Sequence, residues 1–90
     1  MAEFTREEVI QVVLNARKFE GTDLQGLDLS RADLEGAGLF EANLREANLS
    51  QAILSGANLR WTDLRKATYC TKTKWPARFD PKRAGARLVD

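Results

Sequence analysis

The stretch ANLREANLSQAILSGANLR runs from Ala42 to Arg60 and places Leu at 44, 49, 54 and 59 and Ala at 42, 47, 52 and 57. Both series repeat every five residues. Five residues of an α-helix advance about 500°, so successive leucines drift by about 140° and circle the axis. Five residues of a flat strand change face at every step. Neither element gathers these leucines on one side. Ala and Leu are two apart, however, and a short extended segment puts both on one face. If the chain then bends before each new pair, every pair points inward.

Counting outward by fives gives Phe19, Leu24, Leu29, Leu34, Leu39, then Leu64 and Tyr69 at the far end, all large and apolar. The position two before each is small from Ala32 onward. The position just before it is mostly Asp or Asn, at 23, 28, 33, 43, 48, 58 and 63. Gly21, Gly26, Gly36 and Gly56 share one slot. Gly tolerates the left-handed backbone of a turn, and Asp and Asn bond their own backbone. A chain that turns the same way every five residues is a coil with leucines inside. Its stacked turns pair like strands about 4.8 Å apart. Ala leaves the room each Leu needs in so narrow an interior.

These residues resemble the pentapeptide repeat family, whose pattern is A(D/N)Lxx. The resemblance covers residues 17–71 and implies an all-β solenoid, a right-handed quadrilateral β-helix of just under three coils. Gly38 and Ile53 depart from the Asp/Asn slot and Leu27 from the Ala slot. The tail TKWPARFDPKRAGARLV is similar to a C-terminal segment common in cyanobacterial members.

The flanks read differently. In EFTREEVIQVVLNARK, Thr5 and Glu8 form a capping box and Phe4 and Val9 a hydrophobic staple. Apolar residues recur at helical spacing, which predicts a capping helix within residues 1–16. Residues 72–90 hold both prolines and no period of five. They read as an irregular C-terminal cap in which Trp75 and Phe79 cover the coil end, as end repeats of a solenoid require.

Ninety residues form one domain, with net charge +1. Residues 20–69 carry eight acids and five bases, and residues 70–90 two acids and six bases. There is no histidine and a single cysteine, Cys70, so no intrachain disulfide can form. No metal site, cofactor or catalytic set is expected. The acidic N-terminus is unlike a secretory signal. The run VIQVVL is too short to cross a bilayer, and the expected location is the cytoplasm.

Twenty-residue stacking puts Glu20, Phe40 and Arg60 in one outward column and Gly21, Glu41 and Trp61 in the next. Phe40, Arg60 and Trp61 are candidates for an interaction patch, because aromatics and Arg concentrate at interface centres. The alternative is that Phe40 and Trp61 pack under the tail or the helix. The expected role is a non-catalytic interaction or scaffold module with a protein partner, and the resemblance implies association, as a homodimer, through a coil end. Two alternatives are a DNA mimic that inhibits an enzyme such as DNA gyrase, as some family members do, and nucleic-acid binding through Lys72, Lys74, Arg78, Lys82, Arg83 and Arg87, interleaved with aromatics.

Overall fold

The computed structural model describes residues 5–9 and 19–89. Within residues 19–69 the backbone turns every five residues, and parallel bridges pair residues twenty apart: Asp23 with Asn43, Asp28 with Asn48, Gly38 with Asn58 and Asn43 with Asp63. A turn every five and a register of twenty put four five-residue sides in each coil. The expected leucine series is buried throughout, from Phe19 to Tyr69, together with Ala32, Ala37, Ala42, Ala47, Ala52, Ala57 and Ala67.

One repeat shows how the backbone is satisfied. The Ala42 amide donates to the Leu39 carbonyl at 2.9 Å and closes the turn. The Asn43 amide donates to Thr22 of the coil below at 2.8 Å. The Leu44 and Glu46 amides donate to Asp63 and Arg65 of the coil above at 2.8 and 3.2 Å. That leaves the Arg45 amide, which donates to Asn43 Oδ1 at 3.0 Å. All five donors are used, as a compact backbone demands. The Asp/Asn series is thereby explained: its side chain takes the one amide that no carbonyl reaches. The same bond recurs from Asp23, Asp28, Asp33, Asn48, Asn58 and Asp63. Gly38 and Ile53 have no such oxygen to offer the amides of Phe40 and Ser55.

The second turn residue lies in the left-handed region at each corner. Glycines hold it at 21, 26, 36 and 56, but Arg31, Glu41, Glu46, Gln51, Trp61 and Lys66 adopt φ of 59–64° there. A non-glycine residue in that region costs roughly 1–2 kcal/mol. The paired coil imposes the conformation, so outward chemistry is chosen at these corners against local preference.

At the first coil, the Thr5 amide donates to Glu8 Oε1 and the Glu8 amide to Thr5 Oγ1, at 2.8 and 3.2 Å, so the capping box forms. Residues 6–9 make a helical turn with Val9 buried. Phe4 and the rest of the expected helix, residues 10–16, lie outside the described residues, as does Arg17. Arg6 donates to the carbonyls of Asp28 and Ser30 at 2.6 and 2.7 Å. Carbonyls of that kind are taken one coil higher by backbone amides, as Asn48 O is by Leu29 N. The guanidinium therefore stands in for a missing strand.

The tail differs from the irregular segment expected. Ile53 bridges Lys74, twenty-one residues on instead of twenty. One extra residue sits between Tyr69 and Thr73, and the repeat then resumes with Thr73 buried in the Ala slot and Trp75 in the Leu slot. Thr73 makes the insertion possible. Its Oγ1 accepts the amides of Cys70 and Gln51, both at 3.1 Å, and donates to Leu49 O at 2.9 Å. Strand β1 (Thr68–Tyr69) pairs in parallel with β2 (Arg87–Leu88). Ala86-Arg87-Leu88 is thus another Ala-x-Leu triplet stacked on the coil. A side chain at Gly85 is strained: its φ is 94°, and a Cβ would lie 3.2 Å from Arg65 Cα.

Candidate functional site

The outward column expected from the repeat is formed. The Gly21 amide donates to Phe40 O at 2.8 Å and the Glu41 amide to Arg60 O at 3.0 Å, so Phe40 and Arg60 stack beside Glu41 and Trp61. Trp61 is 76% exposed. No described residue of the tail or the N-terminal turn covers it. Arg60 is exposed and Phe40 half-buried.

Beside this column the coil ends. Ala57 and Leu59 retain 7% and 8% exposure, against 0–1% for Ala37 and Leu39 directly below. The missing cover is a strand. The Leu39 amide donates to Asn58 O at 3.0 Å and the Glu41 amide to Arg60 O, yet the equivalent amides one coil higher, Leu59 and Trp61, have no acceptor among the described residues. Residues 76–79 pass nearby but close their own turn, with the Phe79 amide on Pro76 O at 3.1 Å and Arg78 at φ 65°. Between residues 57–60 and 76–79 lies an open groove of about 350 Å³. Sequence reasoning found Phe40, Arg60 and Trp61 by stacking. It did not find the groove, which depends on where the tail leaves the coil.

Trp75 and Phe79 pack on the core, the Trp75 ring stacked on Phe79 at 5.2 Å and edge-on to Tyr69 at 5.4 Å. Trp75 Nε1 is buried without a partner among the described residues.

The other faces carry less. Asp63 accepts from Arg65 Nη2 at 2.8 Å and lies 4.0 Å from Arg45. The Arg65 hydrogen bond holds the Asp63 carboxyl below the usual carboxylate range. The Ser30 hydroxyl and amide do the same for Asp28. The face bearing Ser50 and Cys70 has an open hollow of about 400 Å³ lined also by Gln51, Thr71, Lys72 and Val89. Cys70 is half-buried, and its thiol is pulled below its usual range chiefly by the Lys72 amide. The basic tail residues do not share one side: Lys74 pairs beside Ile53, Arg87 beside Thr68, and Arg78 lines the groove.

A family model for pentapeptide repeats matches eight copies over residues 18–41 and 42–68. The chain belongs to the pentapeptide repeat family. Its pentapeptide repeats make it a β-helix solenoid. It is similar to the crystal structure of the pentapeptide repeat protein Rfr23 from the cyanobacterium Cyanothece 51142, with 43% identity and a TM-score of 0.63 over 64% of this chain and 40% of that one. The chain thus spans two fifths of that protein's length. It is also similar to alr5209, a pentapeptide repeat protein from Nostoc Pcc 7120, at 33% identity over 80% of this chain and 72% of that one, with a TM-score of 0.38. No curated protein matches. Among the described residues no helix is long and apolar enough to cross a membrane.

Proposed function

We propose that this pentapeptide repeat protein is a non-catalytic protein-interaction module whose contact face carries Phe40, Arg60 and Trp61. The reading is of a right-handed, four-sided rod of just under three coils, with the N-terminal helix and the Trp75–Phe79 pair as its end caps, working in the cytoplasm.

The observation that carries it is Trp61. An exposed Trp forgoes the roughly 1.5–3 kcal/mol that burying a large side chain contributes. At φ 61° it also bears left-handed backbone strain. Neither helps the fold, whereas an exposed aromatic beside an Arg is what binding surfaces use. The DNA-mimic reading has weaker support, since residues 20–69 carry five bases against eight acids. Nucleic-acid binding by the tail is weakened by the spread of its bases over different sides.

Trp61→Gly separates folding from binding. Glycine relieves the backbone strain, so the melting temperature is expected to stay equal or rise. Tagged wild type and Trp61→Gly, captured in parallel from the native cell, are expected to differ by loss of a protein partner, with Phe40→Ala weakening the same partner. Identical partners in all three, or a Trp61→Gly chain that unfolds, would contradict the reading.

A further inference from the structure

The two edges of the coil are answered differently. The lower edge presents carbonyls, and Arg6 fills those of Asp28 and Ser30 with its own N–H groups. The upper edge beside Trp61 presents the Ala57 carbonyl and the amides of Leu59 and Trp61, and none of the three has a partner among the described residues. The adjoining groove has Leu59, Pro76 and Phe79 along its wall and Arg60 and Arg78 as its charged groups, with no acid lining it. Neither guanidinium makes an ion pair or hydrogen bond among the described residues.

We propose that this edge receives an extended acidic peptide segment of the partner protein as an added strand. The inference rests on the reading that this face binds protein, and it specifies the partner's chemistry. The coil itself supplies the docking geometry. The amides of Leu39 and Glu41 are taken by the carbonyls of Asn58 and Arg60, two residues apart, while Leu59 between them turns inward. A peptide repeating that pattern gives the carbonyls of its first and third residues to Leu59 and Trp61. Its middle side chain turns inward over Leu59 and Phe79. Its outer side chains point the way Asn58 and Arg60 point, toward the unpaired guanidinium groups. Strand addition supplies the backbone bonds, and alternate side chains supply the selectivity. The recognised pattern is therefore acid, apolar, acid.

The test uses the full chain and a labelled, end-blocked peptide of alternating Glu and Val. Fluorescence anisotropy is expected to show saturable binding that weakens as salt rises. The Arg60→Glu, Arg78→Glu double variant, which changes two exposed residues and is checked by its melting curve, is expected to lose at least about tenfold in affinity, or about 1.4 kcal/mol. A peptide with Lys in place of Glu is expected not to bind. Bound peptide is expected to slow hydrogen exchange at the Leu59 and Trp61 amides by about tenfold or more. Equal binding of the Lys peptide, an unaffected double variant or unprotected amides would each overturn the proposal. So would protection of those amides that rises with protein concentration alone, which would make a second copy the occupant. If the native partner is lost with Trp61→Gly but kept by the charge-reversed variant, the interaction module stands and the acidic strand falls. If Trp61→Gly keeps the partner, the module reading itself falls.

Discussion

Leu49→Ala is expected to lower the unfolding free energy by about 2–5 kcal/mol, the range for emptying a buried Leu site. Leu49 is fully buried, and its amide and carbonyl both hold the next coil, through Thr68 O and Thr73 Oγ1. The void cannot close easily, because backbone pairing on both sides fixes the wall at strand spacing. Small domains have only about 5–15 kcal/mol in total, so the variant should sit close to half-unfolded in mild urea. Leu88→Ala provides the contrast. Leu88 occupies the same slot on the same side but is 42% exposed. Its loss is expected to be about 1 kcal/mol or less, because exposed sites leave no cavity. Equal losses at the two positions, read from urea midpoints, would mean that the interior is not the ladder described.

The second large effect runs the other way in volume. Ala47→Leu is expected to destabilise by about 1–3 kcal/mol or more, although Leu is the more apolar residue. Ala47 is fully buried between Leu44 and Leu49, and the larger side chain of Leu27 packs against the core from the same slot one coil below. An extra isobutyl group can enter only by pushing coils apart and breaking the bonds from Asn48 N to Leu27 O and from Thr68 N to Ala47 O, both 2.9 Å. A rise in melting temperature would show that the small residues are not there to make room.

Most of the fold is written in the sequence because one geometric demand recurs at every corner. Leu, Ala and Asp or Asn each answer a separate need: burial, clearance and an acceptor for the one amide left over. The capping box at Thr5 and Glu8 was equally readable, since its two bonds are local. The continuation after Tyr69 was not readable by counting. A single extra residue moved the triplets out of phase, and only Thr73 Oγ1, reaching three backbone groups at once, shows how the coil absorbs it. A search for the Ala-x-Leu triplet free of phase would have caught Ala86-Arg87-Leu88. The placement of Phe40, Arg60 and Trp61 followed from twenty-residue stacking. The exposure of Trp61 did not, because it depends on the tail bending at residues 76–79 instead of laying a strand over residues 57–61.

Residue-resolved amide hydrogen exchange decides whether the last side is open. In the free protein the amides of Leu39, Leu44 and Leu49 are expected to exchange slowly, since each donates to the coil above. Those of Leu59 and Trp61 are expected to exchange orders of magnitude faster, although the Leu59 side chain is almost as buried as that of Leu39. Fast exchange at these two positions, beside slow neighbours, is the result that an unfilled edge requires. Protection of Leu59 and Trp61 equal to that of Leu39 and Glu41, at low protein concentration and without ligand, would mean that the chain covers its own edge and leaves no strand position for a partner.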